Sequence, residues 1–321
     1  MPTPATRPLK VGLLLPIIEG TMAGGSAGWR ELLAFARHAE ALGFDSLWIP
    51  DHLIFRLGRW PGDQVGTWEA WSVLAGLAAA TERITLGTYV NAVGFRNPAL
   101  LAKMAVTVDE ISGGRFILGL GAGWHQAEFD AFGMPFDHRL GRFEEAFTII
   151  RSLIGEGHVD FSGRYHTARD AELRPWGPRQ GKLPIMLGSN GPRTLRIALP
   201  HVQLWNSDWT HRPDEIPPLR ARVDEACADV GRDPSAVERT AGVVYDLPIR
   251  RPGRDGRAST RGATAPGVDA STPMTGTHEE IATHLRGYAA EGIERAICWI
   301  DPADEHGLDW FARVLELVSR P

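Results

Sequence analysis

The stretch RFILGLGAGWHQAEF, residues 115–129, decides the fold of this chain. Its first part, Arg115–Leu120, is a short apolar run bounded by glycines, which predicts a fully buried strand. The run leads into Gly119, Gly121 and Gly123, where small residues let the backbone approach a ligand or a neighbouring strand closely. The pattern is GxGxG rather than GxGxxG, and about 110 residues of alternating segments precede it, which argues against a dinucleotide fingerprint.

Strand-like and helix-like segments alternate on both sides of this stretch. Each short apolar run is followed by apolar residues at helical spacing, and helix signals such as Asn97-Pro98 and the Thr277 to Glu280 capping box mark helix starts. The predicted strands are Val11–Leu15, Ser46–Ile49, Ile84–Val90, Arg115–Leu120, Pro184–Leu187, Val202–Asn206, Ala241–Leu247 and Ala296–Ile300. Eight such units predict an α/β fold, a single (β/α)8 TIM barrel over residues 1–321, rather than a doubly wound sheet.

Three segments depart from this alternation. Residues 157–182 form an insertion in which His158–Tyr165 predicts a small hairpin around Ser162-Gly163, with a role in packing or at a subunit contact. Residues 250–273 follow the seventh strand and are rich in Arg, Gly, Ala and Thr, which predicts a long mobile loop. That loop is either a solvated linker or a lid over the catalytic face. Residues 1–9 are predicted to be a flexible N-terminus.

Composition excludes several classes of function. The 321 residues are 43% hydrophobic and 23% charged, with a net charge of −5, so nothing in the charge favours nucleic acid or an anionic membrane. No apolar run reaches the roughly 18 residues of a membrane span, and the N-terminus has no signal-peptide core. Cys227 and Cys298 lie far apart, which predicts buried thiols in a reducing cytoplasm.

In a barrel of this kind, chemistry occurs where the strands end. Asp51-His52 and Asn206–Asp208 stand at such positions, without a Ser-His-Asp order, an HExxH motif or a P-loop. His52 and Asp208 could contribute to a metal site, but nothing in the sequence fixes their separation, so no metal is predicted. Eleven tryptophans, several at strand ends, indicate a pocket for a flat ring. These features alone indicate a barrel enzyme with an aromatic-lined pocket.

Three stretches resemble the bacterial-luciferase-like family of flavin- and deazaflavin-dependent oxidoreductases. They are FDSLWIPDHL (44–53), ITLGTYVNAVGFRNPALLAKMAVTVDEISGGRFILGLGAGW (84–124) and GTHEEIATHLRGYAAEGIERAICWIDP (276–302). The resemblance implies a barrel that binds FMN or coenzyme F420 with the ring over the strand ends. Within the family, the chain most resembles the deazaflavin-dependent branch, which implies coenzyme F420, with FMN as the alternative.

The resemblance also implies roles for particular residues. It places a non-prolyl cis peptide at Tyr89-Val90, where the bulge supports the cofactor ring, and a cofactor-side pair at Asp51-His52. His52 is the catalytic candidate, because imidazole titrates near neutrality and can pass a proton. The alternative is a histidine packed under Trp48 or Trp71.

The remaining candidates form two loops. The resemblance implies that the turn before a helix binds the cofactor phosphate through free N–H groups and hydroxyls, whereas the residues themselves also fit an ordinary glycine-rich turn. The candidates for this turn are Gly188, Ser189, Asn190, Gly191 and Thr194. Main-chain contacts to the cofactor are implied for Gly121, Ala122, Gly123 and Trp124. A sugar-phosphate dehydrogenase branch has glutamate where this chain has Trp124, so the resemblance does not extend to a sugar-phosphate substrate.

Taken together, the sequence predicts a cytoplasmic F420-dependent oxidoreductase that transfers a hydride to or from a small organic substrate, acting as a homodimer. One alternative is an FMN-dependent monooxygenase that uses dioxygen. Another is a flavin-binding protein without turnover.

Overall fold

The computed structural model describes residues 7–22, 25–56, 64–249 and 273–319. Residues 250–272 of the predicted loop 250–273 therefore lie outside the described residues. Residues 1–6 of the predicted N-terminal segment 1–9 also lie outside them. The strands are β1 (Lys10–Leu14), β2 (Ser46–Ile49), β3 (Ile54–Arg56), β4 (Gln64–Gly66), β5 (Thr85–Thr88), β6 (Asn91–Ala92), β7 (Phe116–Gly121), β8 (His158–Ser162), β9 (Thr167–Glu172), β10 (Ile185–Gly188), β11 (Leu204–Thr210), β12 (Glu238–Asp246) and β13 (Arg295–Asp301). The helices are α1 (Trp29–Leu42), α2 (Ala70–Ala80), α3 (Pro98–Ile111), α4 (Gln126–Ala131), α5 (Arg139–Glu156), α6 (Pro192–Ala198), α7 (Ile216–Asp229), α8 (His278–Ala290) and α9 (Glu305–Val318).

Eight parallel strands close into a barrel. Their order is β10, β11, β12, β13, β1, β2, β5 and β7, and β7 pairs in turn with β10, where Ile185 lies opposite Leu118. That last pairing leaves no open edge, so the fold is a (β/α)8 barrel and not a doubly wound sheet. Every residue of β7 is buried, as its apolar run predicts.

The third barrel strand is shorter than predicted. β5 ends at Thr88, and a cis peptide joins Tyr89 to Val90, as the family resemblance implied. The chain then resumes pairing with β7 through the two residues of β6. The irregular backbone at Tyr89-Val90 thus lies within the wall of the barrel, at its carboxyl end.

Two helix starts are determined by a carboxylate that caps the backbone. α2 begins at Ala70, since the Glu69 carboxylate accepts the N–H groups of Trp71 and Ser72. α9 begins at Glu305, since the Asp304 side chain accepts the N–H of Gly307. The predicted caps at Asn97 and Thr277 are confirmed.

The insertion after α5 is a hairpin, but a longer one than His158–Tyr165. β8 pairs antiparallel with β9, which extends it to Glu172. Two other elements were not predicted, the β3–β4 ribbon that follows β2 and the short helix α4 that follows β7. Both lie at the carboxyl end of the barrel.

Arg115 explains why the SGGR motif precedes the central strand. Its guanidinium donates hydrogen bonds to the carbonyl groups of Ala78, Thr81 and Ile84, and its Nε donates to that of Ser112. One side chain therefore pairs the free carbonyl groups at the end of α2 and in the segment that leads to β5, at the amino-terminal end of the barrel. No helix in the described part of the chain is both long and apolar enough to cross a membrane.

Candidate active site

A cavity of about 560 Å³ opens at the carboxyl ends of the barrel strands. It brings together most of the residues that the sequence marked as candidates. Those lining it are Asp51, His52, Tyr89, Val90, Gly121, Ala122, Gly123, Trp124, Gly188, Ser189 and Asn190. Gly191 and Thr194 are not among the lining residues and lie behind the turn that carries Ser189.

Val90 forms one wall of the cavity because its neighbours are glycines. A Cβ atom added at Gly121 would lie 2.8 Å from a Val90 methyl group, and one added at Gly188 would lie 2.8 Å from both. At Gly119 an added Cβ would lie 2.0 Å from the Thr88 carbonyl oxygen. The sequence left open whether these small residues serve a ligand or a neighbouring strand. In the structure they admit the bulged Tyr89-Val90 segment.

His52 is held by a buried carboxylate. Its Nδ1 lies 2.8 Å from Oε1 of Glu128, whose side chain is 1% exposed. The second oxygen, Oε2, accepts the backbone N–H of Leu53 at 2.7 Å. A carboxylate can only accept, so His52 donates from Nδ1 and keeps Nε2 as its basic nitrogen.

Aromatic rings surround the His52 imidazole. The centroid of its ring lies 4.3 Å from that of Phe55 and 5.8 Å from that of Trp124, which is 46% exposed. The alternative was that His52 packs under Trp48 or Trp71. Among the described ring contacts, His52 instead contacts Phe55 and Trp124, while Trp48 Nε1 donates to Ser46 and Trp71 Nε1 donates to Asn91. The imidazole therefore lies within the cavity beside Phe55 and Trp124.

Asp51 is bound by an arginine that sequence reasoning missed. Arg96 donates to both Asp51 oxygens, at 2.6 and 2.9 Å, and also to Glu69 at 2.8 Å. Burial raises the pKa of the Asp51 carboxyl, and the Arg96 charge opposes that rise. This bidentate pair fixes the end of β2 against the segment that precedes α3.

The turn after β10 uses its own hydroxyl groups. Thr194 Oγ1 donates to the Gly191 carbonyl at 2.8 Å and lies 2.6 Å from Ser189 Oγ, which in turn accepts the Gly191 N–H at 3.3 Å. Thr194 has a single hydroxyl proton, so Ser189 is the donor between the two hydroxyls. Thr194 thus stabilises the turn from behind, while Ser189 and Asn190 face the cavity.

Two buried polar atoms in this cavity have no hydrogen-bond partner among the described residues, namely Tyr89 Oη and Asn190 Oδ1. Buried polar groups are nearly always paired, so a ligand in the cavity would complete them. These atoms, in the same cavity as Val90, fit a cofactor that carries hydrogen-bonding groups on its edge. In the described ranges, no group of three or more His, Cys, Asp or Glu side chains is arranged to hold a metal ion.

Sequence reasoning missed Glu128 and Arg96, which are the partners of His52 and Asp51. Both lie shortly after a barrel strand, Arg96 just before the Asn97 cap and Glu128 in the first turn of α4. The available signal was a charged residue shortly after a predicted strand end.

Comparisons with known proteins identify the family and the fold. The family model described as "Luciferase-like monooxygenase" matches residues 9–245, well over half of the chain. The chain is 33% identical over 210 residues to a phthiodiolone/phenolphthiodiolone dimycocerosates ketoreductase of Mycobacterium sp. (strain JLS), which is 60% of this chain and 55% of that protein. It is 38% identical over 182 residues to an F420-dependent glucose-6-phosphate dehydrogenase of Intrasporangium calvum, 53% of this chain and 51% of that protein.

These matches span little more than half of each relative's length. Among solved structures, an F420-dependent secondary alcohol dehydrogenase in complex with an F420-acetone adduct superposes with a TM-score of 0.77. It is 20% identical in sequence and covers 98% of this chain and 99% of its own, a likeness that concerns the fold. From the extent of the family match, this chain belongs to the luciferase-like monooxygenase family.

Proposed function

We propose that this protein is a deazaflavin-dependent oxidoreductase that uses coenzyme F420 and exchanges a hydride with a small organic substrate. The observation that carries the proposal is the meeting of the His52–Glu128 pair and the Tyr89-Val90 bulge in one cavity at the strand ends. The names of two similar proteins support the cofactor, since both the dehydrogenase relative and the superposed alcohol dehydrogenase are F420-dependent.

In this proposal the residues of the chain bind, orient and move a proton. Val90, with Gly121 and Gly188 behind it, supports one face of the ring, and Ser189 with Asn190 offers polar contacts at the turn. Roles in binding the cofactor are likewise proposed for Asp51, Tyr89 and Ala122, and for Gly123, Trp124, Gly191 and Thr194. When bound, the deazaflavin accepts or donates two electrons as a hydride.

His52 handles the proton that accompanies the hydride. For an alcohol oxidised to a carbonyl compound, Nε2 takes the proton from the hydroxyl oxygen as the hydride leaves the carbon that bears this oxygen. In the reduction, Nε2 returns the proton to the carbonyl oxygen. Glu128 keeps Nδ1 protonated, which leaves Nε2 free to accept that proton. Phe55 and Trp124 cover the imidazole and reduce water access to the site.

The second candidate is an FMN-dependent monooxygenase that uses dioxygen, and the description of the matched family favours it. A third, a flavin-binding protein without turnover, keeps the cavity and lacks the chemistry. The experiment is to mix the purified protein with oxidised and reduced forms of each cofactor, with and without oxygen, and to follow binding and absorbance. Tight binding of F420 with oxygen-independent turnover of secondary alcohols or ketones supports the first. Oxygen uptake with reduced FMN supports the second, and binding alone supports the third.

We further propose that the protein is a cytoplasmic homodimer that acts on a small-molecule substrate and binds neither nucleic acid nor a membrane. Cys227 and Cys298 are both buried free thiols, which fits a reducing compartment. Trp29 and Trp68 are 44% and 51% exposed, large apolar groups that a second copy would cover. Light scattering after size-exclusion chromatography measures the mass, and a mass of one chain would contradict the dimer.

A further inference from the structure

One wall of the cavity combines a carboxylate with aromatic rings. Asp208 on β11 lines the cavity together with Tyr89, Trp209 and Trp299. The ring centroids of Tyr89 and Trp209 lie 5.1 Å apart, and those of Trp209 and Trp299 lie 6.0 Å apart, all at tilted angles. We call Asp208 and these three rings the acidic aromatic wall. Asp208 and Trp209 lie on β11 and Trp299 lies on β13, strands that carry neither His52 nor the glycine-rich turn, whereas Tyr89 follows β5.

The backbone holds Asp208 in an uncommon conformation. Its φ angle is +70°, a region that few residues other than glycine adopt, at a β-bulge where the pairing of β11 with β12 shifts register. The Asp208 N–H donates to Asn206 Oδ1 at 2.8 Å, and Ser207 Oγ donates to the Asp208 carbonyl at 3.0 Å. The backbone conformation of Asp208 is therefore held by its two preceding neighbours.

Within the described ranges, no lysine, arginine or histidine side chain forms an ion pair with Asp208. Arg139 also lines the cavity, but it donates to the Gly123 carbonyl and lies over the Phe136 ring. Neighbouring protein atoms raise the pKa of the Asp208 carboxyl by desolvation, and the Trp209 N–H opposes that rise. The side chain is nevertheless exposed at the cavity, so a cation can approach the carboxylate directly.

Tyr89 supplies a second unsatisfied group on the same wall. Its hydroxyl is buried and makes no hydrogen bond among the described residues, although the Asn206 amide lies nearby. Burial, and then the Asp208 charge, raises the pKa of Tyr89 well above its ordinary value. Gly242 makes room for this arrangement, since an added Cβ would lie 2.1 Å from the Tyr89 hydroxyl and 2.9 Å from the Trp209 ring.

We propose that the acidic aromatic wall binds an organic ammonium group, so that the substrate of the reaction is a cationic alcohol or carbonyl compound. That the bound cation is a substrate rests on the proposed function. That a cation binds at all rests on the acidic aromatic wall alone. Faces of Trp and Tyr rings attract cations, and a nearby carboxylate supplies the matching charge. A neutral hydroxyl group could pair with Asp208 but would make no use of the rings.

The test uses the full-length protein without cofactor. Choline is titrated at constant ionic strength, alongside 3,3-dimethylbutan-1-ol, which has the same shape without the charge, and binding is followed by tryptophan fluorescence. We expect choline to bind about tenfold more tightly than the neutral alcohol or better. Asp208→Asn and Trp299→Leu should each remove most of that preference. Asp309→Asn, the same loss of charge on an exposed part of α9, should leave it intact.

Several results would overturn the proposal. Equal binding of choline and the neutral alcohol would do so, as would a preference that survives in both Asp208→Asn and Trp299→Leu. A cofactor titration of Asp208→Asn tests whether the wall binds the cofactor and not a cation. Weakened cofactor binding with an unchanged choline preference would assign the wall to the cofactor instead. A choline preference in a protein that binds neither F420 nor FMN would keep the cation site and reject the proposed function.

Discussion

The Nδ1 atom of His52 lies 2.8 Å from Oε1 of Glu128, although 76 residues separate them in the chain. The same carboxylate accepts the backbone N–H of Leu53 through Oε2. One buried side chain therefore orients both the imidazole and the loop that carries it. Glu128, on α4, therefore determines that Nδ1 of His52 donates and that Nε2 remains free to accept.

The first prediction concerns Glu128→Gln. The amide oxygen can still accept from Nδ1, but the amide NH₂ group then faces the Leu53 N–H, donor against donor. The loss of charge also removes the stabilisation of a protonated His52. We expect kcat/KM to fall about 10- to 100-fold, measured across a full pH–rate profile.

Glu40→Gln is the matched control for this change. Glu40 Oε1 also accepts backbone N–H groups, those of Glu82, Arg83 and Ile84, but at the opposite end of the barrel. Its pH–rate profile should be that of the wild type. A Glu128→Gln variant that keeps the wild-type kcat/KM would contradict a role for Glu128 in orienting His52.

The second prediction separates chemistry from binding at His52. His52→Ala removes the proton acceptor but leaves the Val90 wall and the Ser189 turn in place. Turnover should therefore fall about 10²- to 10⁴-fold while cofactor affinity changes little, because the lost interaction acts mainly in the transition state. Steady-state kinetics and cofactor titration measure the two effects. Wild-type turnover combined with weakened binding would make His52 a cofactor anchor.

The third prediction concerns acid stability. Burial alone would raise the pKa of Glu40, but its three backbone N–H donors and the Arg83 charge outweigh it, so the pKa is lowered. A carboxyl with a lowered folded pKa stabilises the fold above its unfolded pKa, about 4.3, and loses that contribution as the pH falls through the folded pKa. Glu40→Gln should therefore be less stable than wild type at pH 7, with the difference shrinking below about pH 4. Urea unfolding at both pH values measures it, and a constant difference would contradict the linkage.

The fourth prediction tests the contact between Val90 and the glycines behind it. Gly188→Ala places a methyl group 2.8 Å from both Val90 methyl groups, and we expect it to cost about 1–3 kcal/mol of stability. Val90→Ala removes those methyl groups, so the double variant should recover most of what Gly188→Ala loses. Denaturant unfolding of the four proteins gives the coupling energy. Additive losses would show that Gly188 is constrained by something other than Val90.

How much of this could be predicted from sequence depends on how local each feature is. β7 was predicted from its own apolar run, and the caps at Asn97 and Thr277 from residues within one turn of each other. The cis peptide at Tyr89-Val90 came from resemblance alone, because its residues also fit an ordinary strand. Such features are encoded within a few neighbouring residues or shared by a family.

The pairings that organise the site are encoded over long distances. Arg96 reaches Asp51 across 45 residues, and Glu128 reaches His52 across 76. Neither pairing leaves a periodic pattern, since each depends on strands that are adjacent only after the barrel closes. The bulge that turns Asp208 into the cavity depends likewise on the register between β11 and β12.

The last prediction concerns the segment 250–273. Residues 250–272 lie outside the described part of the chain, so the prediction uses only the charges in the sequence of this segment. It contains five arginines (Arg250, Arg251, Arg254, Arg257 and Arg261) and two aspartates (Asp255 and Asp269), an excess of three positive charges in a chain of net charge −5. Coenzyme F420 carries a phosphate and an anionic glutamate tail, as the family resemblance implies, whereas FMN carries the phosphate alone. If the segment acts as a lid that contacts the tail, replacing the five arginines with serine should weaken F420 binding, most strongly at low salt, and barely change FMN binding.

The control replaces exposed arginines elsewhere, Arg174 on the hairpin side and Arg313 on α9, with serine. This control separates a local contact from the general field of the protein, because a general effect would follow the number of charges removed wherever they lie. Affinities for both cofactors are measured at several salt concentrations. Equal F420 affinity before and after the fivefold replacement would leave the segment as a solvated linker, and the choice of F420 over FMN would then depend on the cavity alone.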